Sequence, residues 1–347
     1  MKQKAIFGAL LLCTAVMLLA VPALAQHQRV GAVAAPELLI PVGARDMSLG
    51  GASISTTRGV EAMYWNPAGL GKMEGGAEAM FSSMSYLADI NVVYGAVGGK
   101  FGSFGNVGFT IKSLSFGDIP LTTQDDPENT SGRFYSPTFV TVSGTYARSL
   151  TDAITVGLGV KLISEKIDRV SSSGFAFDFG VQYSGVVGVK GLDLGLAVKN
   201  VGPQMQFGGS GLYTKALAVS GDRPQQYYMI EAASFELPAL VEIGLSYDYK
   251  LADNFDALVS GSFTNDNLYF DSYNGGLELG YSIEGLRLFG RGGYSAVPQN
   301  TDNNIYGPTF GAGIEYNLGG ANVVIDYGYR QTKYFNANQV FSVKLEF

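Results

Sequence analysis

From Ala77 to Phe347 the chain breaks into segments of about ten residues in which apolar side chains alternate with polar ones or with glycine. A period of two belongs to a strand with two different faces. Val241, Ile243, Leu245, Tyr247 and Tyr249 lie on one face; Glu242, Gly244, Ser246, Asp248 and Lys250 lie on the other. The same split recurs at Leu192, Leu194, Leu196 and Val198 against Asp193, Gly195, Ala197 and Lys199. It returns at Leu277, Leu279, Tyr281 and Ile283 against Glu278, Gly280 and Ser282, and at Val323, Ile325, Tyr327 and Tyr329 against Val324, Asp326, Gly328 and Arg330. Periodicity alone fits two architectures: a soluble sandwich with a charged outer face, or a barrel whose oily side meets lipid and whose charged side lines a lumen.

The connections separate the two. Fourteen strands are expected, near 77–86, 91–101, 105–115, 137–149, 154–166, 173–184, 191–200, 237–250, 255–264, 273–283, 286–295, 307–318, 321–330 and 339–347. Even-numbered connections include the tight Gly102-Ser103-Phe104, Leu150–Ala153, Leu251–Asn254, Glu284-Gly285 and Gly319-Gly320. Odd-numbered ones include the long Phe116–Ser136, Val201–Glu236 and Ala296–Tyr306. Short turns at one end and long loops at the other mark an outer-membrane barrel. The expected fold is therefore all-β, a fourteen-stranded antiparallel transmembrane barrel, with both termini returning to the short-turn side.

Register can be predicted at two hairpins. If Glu284-Gly285 form a two-residue turn, Ile283 faces Leu286, Tyr281 faces Leu288 and Glu278 faces Arg291. Across Gly319-Gly320 the same logic sets Tyr316 against Val323 and Ile314 against Ile325. Lumen carboxylates Glu242, Glu278, Glu315 and Asp326 are expected to pair with Arg287, Arg291 and Arg330, because buried charge is normally paired. The first three strands are less orderly. Met80, Phe81, Met84 and Tyr86 do not settle on one face, and Gly95, Gly98 and Gly99 leave either a weak wall with a kink or side opening, or room for something inside.

What fills such a barrel is the stretch Leu38–Leu70. It lacks sustained alternation, holds the only Trp of the chain (Trp65), and is punctuated by Gly43, Gly50, Gly51, Pro67 and Gly69. A continuous strand is excluded there, and the expected role is a plug inside the lumen. The Asn66-Pro67 step favours a turn, anchored by Met63, Tyr64 and Trp65 before it.

Residues 1–25 read as a secretory signal: Lys2 and Lys4, an apolar run from Ala5 to Ala20, then Ala23-Leu24-Ala25 as a cleavage pattern. Residues 26–76 are then the tail and hatch, and 77–347 the barrel. Cys13 falls inside the signal, so no disulfide or thiol chemistry is expected after cleavage. Loss of the two lysines takes the formal net charge from −7 to −9, a poor charge for nucleic-acid binding. Charged residues make up only 15% of the chain, against ~25% in soluble domains. An apolar surface on an exported chain points to the outer membrane, with its lipid as a partner.

Chemistry-bearing patterns are absent from the sequence. The one histidine, His27, sits just past the cleavage site, which disfavours histidine-dependent catalysis and metal hydrolysis. Gly95–Lys100 falls one residue short of a phosphate-binding loop and lies in an expected strand. Asp125, Asp126 and Glu128 lack calcium-loop spacing, so a solvated acidic loop is expected there. No enzyme activity, cofactor or metal is expected. The last strand puts Phe341, Val343, Leu345 and Phe347 outward, with Ser342, Lys344 and Glu346 inward. Its terminal Phe resembles the strand that assembly machinery reads in outer-membrane barrels.

Three motifs in the plug narrow the reading: Ile40-Pro41-Val42-Gly43-Ala44-Arg45, then Ser48-Leu49-Gly50-Gly51-Ala52, then Tyr64-Trp65-Asn66-Pro67-Ala68-Gly69-Leu70. Together they resemble the N-terminal pattern of the PorV/PorQ family, a branch of the FadL-like outer-membrane barrels in which a hatch carrying N-P-A-G-L precedes fourteen strands. The resemblance implies a component of type IX secretion that binds the translocon or receives cargo C-terminal domains. The FadL-like alternative is a channel that admits hydrophobic small molecules through the lumen and out of a side gap. In either role Arg45 would pair with lumen carboxylates, and Asn66 would cap the turn that wedges Trp65 against the wall.

Overall fold

The computed structural model describes residues 32–123, 125–217, 224–300 and 304–347. The expected signal, with Cys13 and His27, lies outside them. Fourteen strands close into one antiparallel barrel: β1 (Ala77–Ser85), β2 (Asn91–Lys100), β3 (Asn106–Ser115), β4 (Thr138–Ser149), β5 (Ile154–Ile167), β6 (Val170–Ser184), β7 (Leu192–Val201), β8 (Leu240–Ala252), β9 (Phe255–Asp266), β10 (Ser272–Ile283), β11 (Leu286–Ala296), β12 (Tyr306–Asn317), β13 (Asn322–Thr332) and β14 (Asn338–Glu346). Closure comes from β1 pairing with β14, Glu78 opposite Glu346 and Ser85 opposite Gln339. Phe347 completes the join, its carbonyl accepting from the Gly76 amide at 2.5 Å and its amide donating to the Ala77 carbonyl at 2.9 Å. A closed sheet leaves no edge to be satisfied.

Both predicted registers are present. Ile283 faces Leu286, Tyr281 faces Leu288 and Glu278 faces Arg291; Tyr316 faces Val323 and Ile314 faces Ile325. Gly285 takes a φ of +73°, as a two-residue hairpin of this hand demands. Two strand starts differ from expectation by three residues. β6 starts at Val170 because Asp168-Arg169 alone make the turn, with Asp168 at φ +49°; the serines after it, read as loop, are strand. β8 starts at Leu240, since Pro238 has no N–H for a ladder and Leu237 instead turns inward, 2% exposed.

Large apolar side chains stand exposed around the outside, among them Phe109, Leu162, Phe179, Val241, Val259, Leu277, Phe310, Ile325 and Phe341. Their inward neighbours are polar or small. The first three strands depart from that rule in an informative way. Met80 and Met84 face inward with Tyr86 packed alongside, and Phe81 faces out. These strands do settle on one face; the inner one is apolar because it meets protein. Their ladder is unbroken from Ala77 opposite Gly99 to Ser85 opposite Asn91, and from Asn91 opposite Ser115 to Lys100 opposite Asn106. No side opening lies here. Gly98 gives room to the plug instead, because a methyl group there would collide with Val60 and Leu70.

The plug is built from short helical turns, Pro36–Leu39, Ala44–Ser48, Gly59–Glu61, Ala62–Trp65 and Pro67–Lys72, and most of it is buried in the lumen. It runs from the long-loop end, where Ala34 donates to the Glu236 carbonyl, down to the short-turn end, where Gly76 meets Phe347. Only the barrel's own ends, Ala77 and Phe347, meet at the short-turn side as predicted; residue 33 stands at the opposite rim because the hatch climbs through the lumen.

Candidate functional site: the hatch and its contacts with the wall

Three kinds of contact hold the hatch. The first is ionic. Arg45, at the start of the Ala44–Ser48 helix, is forked onto Glu278 of β10, Nε to Oε2 at 3.0 Å and Nη2 to Oε1 at 3.1 Å, with Asp46 on Nη1 at 2.9 Å. Arg291 of β11 bridges the same Glu278 to Asp326 of β13. Two guanidiniums against three carboxylates form one buried network, the geometry for which Arg is suited and Lys is not. Arg45 thus pairs with the lumen as expected.

Other predicted pairs are redistributed. Glu242 takes Lys199 at 2.7 Å, and Arg287 takes Asp256 at 2.7 Å. Arg330 donates to Asn338 and lies 3.9 Å from the Tyr306 ring centroid, and Glu315 lines the open lower lumen. The reason is register: an inward side chain reaches the strand beside it, and Lys199 on β7 faces the β8 row that holds Glu242. Lys112 and Lys161 went unrecognised in the sequence, although both sit at inward positions of period-two strands. Lys161 pairs with Asp178 at 2.6 Å and donates to Asn200 at 2.7 Å. Lys112 donates to the carbonyls of Glu37 and Ile40. Lys112 and Lys199 approach the Tyr64 ring at 4.8 and 5.3 Å, cation–π contacts inside the barrel.

The second kind is capping. Asn66 is wholly buried; its Oδ1 accepts from Ala68 N–H at 3.2 Å, and its Nδ2 donates to the carbonyls of Ile54, Val181 and Leu196. One amide caps the Pro67–Lys72 turn, with Pro67 preset in its first position, and ties it to β6 and β7. The expected wedge is corrected in one respect. Trp65 donates Nε1 to the Val42 carbonyl at 3.0 Å and packs edge-on to Tyr64, so its hydrogen bond stays within the hatch; its ring meets the wall only through Lys199, 5.7 Å from the centroid, and the hydrogen bonds to the wall are made by Asn66.

The third kind is close approach. Hatch backbone at Ile54, Asn66-Pro67 and Leu49 lies against Gly195, Gly180, Gly157 and Gly293 of the wall, where any Cβ would collide. Within the hatch, Gly43, Gly50 and Gly51 take φ of +81°, +67° and +82°, and Gly69 abuts the Thr57 carbonyl. Pro41 lies in the extended link before the Ala44–Ser48 helix.

Beneath the hatch a polar cavity of about 560 Å³ opens toward the short turns, lined among others by Arg45, Glu61, Glu78, Arg287, Glu315 and Lys344. Burial pushes the Glu61 carboxyl up to about 8, with Asp46 adding to the rise. Above it, Ile40, Ala44 and Met47 pack against Met84, Val92, Leu114 and Val340, flanked by Tyr86, Ile90, Phe116 and Phe139. Apolar packing seats this side of the hatch, while charged side chains stand both toward the long loops, at Lys112, Lys199 and Glu242, and below, around the cavity.

The ladder between β6 and β7 is irregular. Pairing runs from Ser184 opposite Asp193 to Phe179 opposite Val198, then slips so that Phe177 meets Val201. Asn200, at φ +61°, makes this bulge and is held by Asp178, Lys161 and Pro238. Residues 170–176 of β6 have no β7 partner; the chain after β7 lies against them instead, through the Ser171–Gly208 bridge and the Gly211 N–H donating to the Arg169 carbonyl. Behind it Met205 packs with Ile163, Ala176, Leu237 and the hatch residues Ala34, Ala35 and Leu38.

Among the described residues no group of three or more His, Cys, Asp or Glu forms a metal-holding arrangement. Asp126 accepts hydrogen bonds from Thr130 and Ser131, which hold it below the usual carboxylate range, in an acidic loop that is exposed to solvent.

No family model matches the chain, and no curated protein matches it. Among solved structures, CymD, a monoaromatic hydrocarbon channel, superposes with a TM-score of 0.59 at 12% identity, covering 88% of this chain and 97% of its own. The Pseudomonas putida toluene transporter TodX superposes with a TM-score of 0.55 at 11% identity, covering 86% and 96%. What the chain shares with them is the fold.

Proposed function

We propose that this protein is a non-enzymatic outer-membrane channel for hydrophobic small molecules, exported with residues 1–25 removed. The observation that carries the reading is the slip in pairing at β6–β7, backed by the apolar cluster of Met205, Leu237 and the hatch tip. Solute entering from the long-loop end meets a hatch that blocks the lower half, and leaves sideways where the β6–β7 ladder slips. The outward Phe175, Phe177 and Phe179 on β6 present lipid with an apolar sill. The fold shared with two hydrocarbon channels supports it. Vesicles containing the protein should take up a monoaromatic hydrocarbon faster than empty ones, and replacing Met205 by Lys should slow that uptake. Equal uptake by loaded and empty vesicles would reject the channel.

A second reading, a PorV/PorQ-type component of type IX secretion, rests on the three hatch motifs and on the long loop after β7. That loop raises a hairpin, Tyr213–Ala216 with Gln226–Met229, whose Tyr227 and Met229 are exposed. Retention of a translocon-sized partner or cargo C-terminal domains after mild solubilisation would favour it, and loss of uptake with no partner would leave neither reading.

A further inference from the structure

Where the hatch begins, two carboxyls face each other with no cation between them. Glu37, in the Pro36–Leu39 turn, is 1% exposed, and Glu165 on β5 is 3% exposed. Neither Glu37 oxygen meets a protein donor, and neither does Oε2 of Glu165. Ile163, two residues before Glu165 on the same inward face of β5, packs on the hatch residues Ala34, Ala35 and Leu38, which brings the two carboxyls together. Two acceptors so placed repel unless one carries a proton. Lys112 on β3 is the nearby cation, yet its ammonium donates to the Glu37 and Ile40 backbone carbonyls. Lys161 and Lys199 stand beyond it and are committed to Asp178 and Glu242.

We propose that Glu37 and Glu165 form a proton-operated latch: a shared proton clasps the outer end of the hatch to β5, and its loss releases that end from the wall. Glu37 is the protonated partner, donating O–H to the Glu165 carboxylate. Three neighbouring features give the release a direction. Ala34 bridges to Glu236 at the root of the β7–β8 loop, Leu38 packs behind the β6–β7 slip, and the Leu38 carbonyl accepts from Tyr64 O–H at 3.1 Å. Freeing the Pro36–Leu39 turn therefore loosens the apolar backing of the irregular β6–β7 ladder, and reaches Tyr64 and its neighbour Trp65.

Burial and the facing Glu165 push the Glu37 carboxyl up from 4.5 to about 8. Once the turn is released into water its value returns toward the ordinary one, so the closed state takes up a proton. Closure is then fully favoured in acid and weakens by about tenfold per pH unit as pH rises between those two values, with no further change above. The inference does not depend on what the barrel transports.

Trp65 is the only tryptophan in the chain and reports on the hatch directly. Acrylamide quenching of its fluorescence, measured on the full protein in lipid vesicles from about pH 5 to about pH 9, should rise with pH in the wild type. E37Q should keep the acid-level quenching throughout, because its amide donates to Glu165 at every pH. E165Q should likewise lose the step, and its uncleaved barrel checks that folding is intact. A flat profile in the wild type, or the same step in E37Q, overturns the proposal.

Discussion

Arg45 in the hatch and Glu278 in the wall meet through two parallel hydrogen bonds, at 3.0 and 3.1 Å, on a carboxylate that Arg291 also holds. E278Q takes one carboxylate from both guanidiniums and leaves Arg45 to Asp46 and Arg291 to Asp326, a loss below the ~3–5 kcal/mol of stranding a buried charge. R45A should cost less, because Glu278 retains Arg291. R45K keeps the charge and loses the fork. The expected order of hatch protection against protease, from pure protein in vesicles, is wild type, R45K, R45A, E278Q.

Asn66 offers a sharper test because its two ends do different work. N66A should lower stability by about 0.5–2 kcal/mol from the lost cap, with the Ile54, Val181 and Leu196 carbonyls left short of a donor. N66D keeps the acceptor for Ala68 N–H and aims a carboxylate at those carbonyls. It should therefore melt below N66A, as read by heat-dependent unfolding in detergent; the opposite order would mean the wall bonds contribute nothing.

Gly180 and Gly195 carry no side chain because hatch atoms occupy the space, whereas Gly275 and Gly290 face nothing within 4 Å. G180V and G195V should give closed barrels with an unseated, protease-sensitive hatch. G275A and G290A should behave as wild type in the same digestion.

Glu61 sets a pH slope of its own. Its folded value of about 8 lies above the ordinary 4.5, so folding takes up a proton and the carboxyl's contribution to stability is full below about pH 4.5 and declines until about pH 8. E61Q should flatten the fall in melting temperature across that window and leave the curve above it unchanged. Lys344 and Arg45 remain in both proteins and do not titrate there.

Phe347 seals β14 to β1 through Gly76 and Ala77. Deleting it should slow appearance of the folded, heat-modifiable barrel in membranes, with F347Y close to wild type.

The sequence by itself determined the barrel: strand number, the alternation of faces, both hairpin registers and the identity of the filling segment, all of which follow from the rigid period of an extended chain. Arg45 and Asn66 were legible because a lone guanidinium and an Asn-Pro step in an oily stretch need partners. Tertiary structure alone decided which partners. Glu242 meeting Lys199, Met80 and Met84 turning inward, and Glu37 lying on Glu165 depend on how far the hatch climbs and where the strands stagger. The slip in pairing at β6–β7 rests on one bulged residue, Asn200, whose φ no local pattern announces. Periodicity fixes which face a side chain takes; what stands opposite that face is set by closure of the sheet around a segment distant in the chain.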